Sequence, residues 1–155
     1  MRTVLHEEDR VLRLAAVVLD PSIPEEVRSA YADYLAHDLP DFAGWCDGLR
    51  QRLPRLHPAR VLQVANQAAL RAQLPEADAV FVESLEIGAA ELACAPRLNV
   101  VQQFGTQTDN IDLAACRARG IEVLTVRRRS NTNVAEHTFA LMLAMASACP
   151  PLPTW

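Results

Sequence analysis

The sequence predicts an α/β protein built on a five-stranded parallel sheet with helices on both faces. Three observations carry that prediction. Short, strongly apolar runs of strand length recur along the chain. Segments with helical spacing or helix-stopping residues separate them. The gaps between runs each leave room for a helix, as right-handed βαβ crossovers require. The 155 residues, half of them apolar and 22% charged, suffice for one hydrophobic core and have the balance of an ordinary soluble domain.

Taken in order, Leu12 to Leu19 (LRLAAVVL) is an almost unbroken apolar run ending at Asp20-Pro21, and it reads as a strand buried on both faces. Ser22-Ile23-Pro24-Glu25 has the form of a capping box. The helix it opens carries Val27, Ala30, Tyr31 and Tyr34 at helical spacing. Prolines 40, 54 and 58 with Gly48 punctuate the next stretch, which holds one short helix around Phe42 to Leu53. Arg60 to Ala65 reads as the second strand and Gln67 to Gln73 as a helix. Ala77 to Val82 is the third strand, and Ala89 to Ala95 a short helix stopped by Pro96. Leu98 to Phe104 is the fourth strand. Ile111 to Arg119 is a helix ended by Gly120, which tolerates the left-handed C-cap conformation. Ile121 to Val126 is the fifth strand, and a long helix begins near Asn133. The architecture expected is flavodoxin-like.

Composition excludes several classes. A net charge of −4 offers no electrostatic reason to bind nucleic acid or an acidic membrane. The opening segment lacks a long apolar core, so no signal peptide is expected and a cytoplasmic location is. No apolar run approaches the roughly 20 residues that span a bilayer. Cys46, Cys94, Cys116 and Cys149 form no CxxC pair and are expected to be buried or half-buried thiols. Neither they nor His6, His37, His57 and His137 show metal-ligand spacing.

Three segments carry chemistry. Phe104-Gly105-Thr106-Gln107-Thr108-Asp109-Asn110-Ile111-Asp112 follows the fourth strand. Leu113 to Val123 (LAACRARGIEV) comes next, and Val134-Ala135-Glu136-His137 opens the last, apolar helix. DNID, RGI and VAEH at these separations, from about Ala77 to Ser147, resemble the D-isomer-specific 2-hydroxyacid dehydrogenase family. Asp109 and Asp112 are read as helix caps. Ligands of open parallel sheets bind beyond the carboxyl ends of the strands, so function is expected in the loop before the caps. There Gly105 permits close backbone approach, and free amides at Thr106 and Gln107 suit a carboxylate oxygen.

The resemblance implies that a substrate carboxylate meets backbone amides in two places, at Ser84 and Leu85 after the third strand and at Thr106 and Gln107. It also implies that Thr106 and Val134 lie beside the cofactor, NAD or NADP. His137 does not match the family's catalytic histidine, and no catalytic residue is assigned here. Departures from the family pattern fall at the mouth of the site. Glu83-Ser84-Leu85-Glu86 stands where many relatives have Arg-Ser-x-Thr, so two carboxylates face an anionic substrate unless they turn away or meet cations. Gln107 replaces a second glycine, and Ser130 occupies a slot often held by asparagine. Arg127-Arg128-Arg129 is read as a solvated loop or as an attractant for a carboxylate or phosphate.

No G-x-G-x-x-G exists among the five glycines, so the sequence holds no pyrophosphate cradle. The expected organisation is a substrate-binding domain over residues 1–130, an inter-domain helix over 131–148 and a tail over 149–155, with the NAD-binding domain absent. The expected function is the substrate-binding part of an NAD-dependent oxidoreductase acting on D-2-hydroxy or 2-keto acids, inactive by itself. A chain so composed needs no nucleic acid or membrane, and the helix of residues 133–148 is expected to drive self-association. The alternative is a non-catalytic interaction or signalling module on the same fold, with Asp20, Glu83 and Arg127 as its polar cluster.

Overall fold

Strands at Arg2–Glu7 (β1), Ala59–Val64 (β2), Ala79–Val82 (β3), Val100–Gln103 (β4) and Glu122–Thr125 (β5) form one sheet in the order β2-β1-β3-β4-β5. All pairings are parallel in the computed structural model, which describes residues 1–128 and 130–148. The helices are Leu14–Leu19 (α1), Glu25–Leu35 (α2), Phe42–Arg52 (α3), Gln67–Gln73 (α4), Ala89–Ala93 (α5), Leu113–Ala118 (α6) and Ser130–Ala148 (α7). Side chains alternate across a strand, so each strand feeds two cores. Leu5, Val80, Val82 and Val101 face Leu70, Leu74, Leu92 and Cys116 on the α4–α5–α6 side. Val4, Ala59, Val61 and Ala79 face Ala16, Val17, Leu19, Phe42 and Cys46 on the α1–α3 side. This is the expected flavodoxin-like arrangement.

The first strand is not where the sequence placed it. Leu12–Leu19 is not a strand: its second part is the short helix α1, and the sheet's first strand is Arg2–Glu7. The reason is burial on every side. Ala16, Val17, Val18 and Leu19 are all buried, so the helix shows no polar face and its apolar residues run on continuously. Asp9 starts the turn by accepting from the amides of Val11 and Leu12, at 2.7 and 2.9 Å. Two guanidiniums close its other end. Arg28 donates to the carbonyl of Val17, and Arg50 donates to those of Val17 and Val18 at 3.2 and 2.8 Å. Cations there complement the negative end of the helix dipole.

The capping box at Ser22 does not form either. The Ser22 hydroxyl and amide both donate to Asp20, at 2.6 and 2.8 Å, and α2 begins after Pro24 without a side-chain cap. Asp20 also accepts from the Val61 amide at 2.8 Å, which ties α1 to β2. Asp112 does cap α6, through the Ala115 amide at 2.8 Å, and Gly120 ends it with φ +67°. Asp109 caps no helix and lies on the cleft described below. Cys46 and Cys116 are buried as expected, whereas Cys94 is exposed at the end of α5, and Cys149 lies outside the described residues. No helix among the described residues is long and apolar enough to cross a membrane.

His6, only 2% exposed, sits in the interior strand β1 with Nδ1 2.8 Å from the carbonyl of Glu7. Burial pushes its pKa below the ordinary histidine value. The contact with the Glu7 carbonyl and the charge of Asp9 oppose that shift, and Arg13 adds to it. An unfolded chain therefore takes up this proton before the folded one does. The stability contributed by neutral His6 is full above the ordinary value near 6.5 and is lost as pH falls below it. Glu7, Asp20 and Glu91 are held below their ordinary values, so their losses begin at lower pH. Urea midpoints should fall between pH 7 and pH 5, and His6→Asn should flatten that dependence. Equal midpoints at the two pH values would refute this.

Candidate active-site mouth

Parallel strands deliver their following loops to one edge of the sheet, and β3, β4 and β5 are neighbours there. Ile87 and Ile111 form a parallel bridge between the first two loops. The Ile87 amide donates to Asn110 and the Asp112 amide to Ile87, each at 2.9 Å. The side-chain amide of Asn110 donates to the Leu85 carbonyl at 2.8 Å and to Gln103 Oε1 at 3.3 Å. Gln103 Nε2 donates to the Glu83 carbonyl at 2.9 Å. From the other side Gln67 brackets Glu86, donating to its carbonyl at 2.9 Å and accepting from its amide at 3.0 Å. Gln67 also donates to buried Glu91, which pairs with Arg71 at 2.6 Å. Ser84 and Leu85 are thus fixed by a polar lattice before any ligand arrives.

Their amides are already engaged. Glu7, at the end of β1, accepts on Oε2 from the amides of Glu83, Ser84 and Leu85, at 2.7, 2.8 and 3.0 Å. Its other oxygen accepts from the Ser84 hydroxyl. Burial works against the charge on Glu7, but the Ser84 hydroxyl and the three amides outweigh it and hold this carboxyl below its ordinary range.

The second loop is open. Thr106 and Gln107 are exposed, and their amides donate to no protein acceptor among the described residues. With Glu83, Gln103, Phe104, Gly105, Asp109, Asn110 and Arg128 they line a cleft of about 540 Å³. A Cβ on Gly105 would meet Arg128 at 3.7 Å, an ordinary contact. The protein's own packing does not require glycine there.

The charge conflict foreseen at the mouth is resolved in part. Arg128 pairs with Glu83 at 2.8 Å and lies over the Phe104 ring, 4.7 Å from its centroid. Its Nε is buried with no hydrogen-bond partner among the described residues. Glu86 and Arg127 are exposed, and Arg129 lies outside the described residues. Val134 stands on α7, 64% exposed and away from the lining of the cleft. Among the described residues no cluster of three or more His, Cys, Asp or Glu is placed to hold a metal ion. Sequence reasoning missed Glu7, Gln103 and Asn110. Two glutamines, Gln102 and Gln103, ending a strand that begins with two valines were a usable signal for Gln103. Glu7 gave none, because its role depends on a strand that the apolar pattern did not reveal.

Comparison with known proteins bears on the family and the fold. The family model for the D-isomer specific 2-hydroxyacid dehydrogenase catalytic domain matches residues 49–149. The D-3-phosphoglycerate dehydrogenase of Mycobacterium tuberculosis is 35% identical over 108 aligned residues, covering 62% of this chain and 20% of that protein. The Mycobacterium leprae enzyme of the same name is 41% identical over 80 residues, covering 51% of this chain and 15% of its own length. This chain therefore spans about a fifth of the length of these curated relatives. A crystal structure of the NAD-dependent formate dehydrogenase of Staphylococcus aureus, with NAD, matches at TM-score 0.56 and 18% identity. It covers 91% of this chain and 37% of that one, a likeness that concerns the fold. With a family model matching 101 of 155 residues and the DNID, RGI and VAEH segments all inside the match, the chain belongs to the D-isomer specific 2-hydroxyacid dehydrogenase family.

Proposed function

We propose that this chain binds the carboxylate of a small D-2-hydroxy or 2-keto acid and is the substrate-binding part of an NAD-dependent oxidoreductase acting on the CH–OH group. The observation that carries the proposal is the pair of unengaged amides at Thr106 and Gln107, opening on a cleft at the carboxyl edge of the sheet. Two adjacent N–H donors on a loop held by the Ile87–Ile111 bridge suit one carboxylate oxygen. Ser84 and Leu85 are the second proposed contact, open to a ligand only when Glu7 leaves their amides. NAD would supply hydride acceptance at the substrate's carbinol carbon, and Thr106 and Val134 are the positions proposed to lie beside it. The residues present do not make a binding site for the dinucleotide, since no glycine-rich phosphate loop occurs in the sequence. No catalytic step is assigned to this chain alone, and we propose that by itself it binds no NAD(H). Self-association through α7 is part of the same proposal.

Amide-resolved NMR titration with D-glycerate tests the reading. The Thr106 and Gln107 signals should move saturably, while calorimetry with NAD+ should show no heat of binding. Unmoved signals at those two amides would overturn the substrate assignment. A micromolar dissociation constant for NAD+ would overturn the cofactor part.

A further inference from the structure

We propose that Glu7 is a resident carboxylate plugging the anion nest of the β3 loop, so that a free carboxylate enters only when Glu7 swings out. Three consecutive amides, those of Glu83, Ser84 and Leu85, converge on a single Glu7 oxygen within 3.0 Å, and the Ser84 hydroxyl takes the other oxygen. Successive N–H groups pointing into one concavity make a nest selective for anions. Charge-assisted bonds of this kind are about twice as strong as neutral ones. The site is thus complete for a carboxylate, down to separate partners for its two oxygens, and its occupant comes from the chain itself, 76 to 78 residues away in sequence.

The nest is reachable. Ser84 is exposed and Glu7 only half-buried, so a displaced Glu7 side chain has solvent to enter. Gln67, Gln103 and Asn110 hold the loop by bonds that do not involve Glu7, so its shape does not depend on being filled. The amides of the neighbouring Thr106–Gln107 loop donate to no acceptor among the described residues. Two carboxylate-type sites therefore lie on one edge, one filled internally and one open. A tethered group competes at an effective concentration of about millimolar or above. Free carboxylates at lower concentration are excluded from the first site while still able to visit the second. The nearby charges fit this division, since Glu83 is neutralised by Arg128 whereas Glu8 and Glu86 stay exposed and repel a second anion. The physiological identity of the entering carboxylate rests on the function proposed above, whereas the plug does not.

The experiment titrates the whole 15N-labelled chain with sodium acetate at fixed ionic strength, in the wild type, Glu7→Ala and Glu7→Gln. In Glu7→Ala the amide signals of residues 83, 84 and 85 should move saturably, with an affinity at least about tenfold above that of the wild type. Neutral acetamide should leave them in place. Glu7→Gln keeps the side-chain shape without the charge and should bind acetate more tightly than the wild type. Absence of saturable shifts in a folded Glu7→Ala chain, or equal affinity in wild type and variant, overturns the proposal. If Glu7→Ala loses its circular dichroism, Glu7→Gln decides alone: equal affinity to wild type overturns the plug. Acetate binding at residues 83–85 with no D-glycerate response at Thr106 and Gln107 would sink the substrate reading and leave the plug standing.

Discussion

In sedimentation velocity at micromolar concentration the whole chain is expected to run as dimers or larger species, and the triple variant F139E/M142E/L143E as a monomer. The motive lies in α7. Phe139, Leu141, Met142, Leu143 and Met145 are 52 to 74% exposed, and apolar side chains appear around the helix without a polar face to turn outward. Full burial of one such side chain is worth roughly 1.5–3 kcal/mol. Because these side chains are only partly exposed, the ten of them in two chains have an incentive on the order of 10–20 kcal/mol rather than the roughly 15–30 of full burial, set against roughly 4–15 kcal/mol for the freedom lost on association. In the structure these side chains are not covered by the protein's own sheet. Residues 139, 142 and 143 lie on one face at i, i+3 and i+4, so three glutamates there should abolish packing and add like-charge repulsion. Equal sedimentation of the two chains as monomers, with no binding of an apolar dye to the wild type, would overturn this expectation.

Replacing Ile87 by alanine is expected to cost about 2–5 kcal/mol of stability and to loosen the loops after β3 and β4 together. Ile87 is fully buried in the α4–α6 core, where it belongs to the same cluster as Leu92, Ile111 and Cys116. It is also the point at which the β3 and β4 loops are joined by backbone pairing. Removing its outer carbons leaves a void that a parallel sheet closed by α4, α5 and α6 cannot readily fill. Each kcal/mol corresponds to about 2–4 °C in the melting temperature of a domain this size, so a fall on the order of 10 °C should be seen by calorimetry. Ile87→Val keeps the branch and should cost only about 0.5–1.5 kcal/mol. A melting temperature for Ile87→Ala no lower than that of Ile87→Val would show that Ile87 is not the joint described here.

Apolar patterning located four of the five strands within two residues at each end. Those four are runs whose neighbours are helices with their own stop signals, such as Gly120 after α6. It failed at the start of the chain for a physical reason. The pattern rewards uninterrupted apolar residues, and the short buried helix α1 has them while the interior strand Arg2–Glu7 carries a threonine, a histidine and two charged ends. Thr3 and His6 are nonetheless buried, because pairing to β2 on one side and β3 on the other makes β1 an interior strand. Capping chemistry was legible at Asp112, where donor and acceptor are three residues apart, and misleading at Ser22, where a second acceptor, Asp20, lay nearer.

The sequence by itself determined the class of fold and the family, since both rest on local order along the chain: strand spacing, DNID, RGI and VAEH. Only the tertiary structure decided which of the loops after β3 and β4 is open. The Ser84–Leu85 amides are closed by Glu7, the acid at Glu83 is answered by Arg128, and the first two loops are locked by Asn110 and Gln103. Each of these depends on residues brought together across the carboxyl edge of a parallel sheet. Glu7 meets its partners from 76 residues away, a separation at which no periodicity or motif carries a signal.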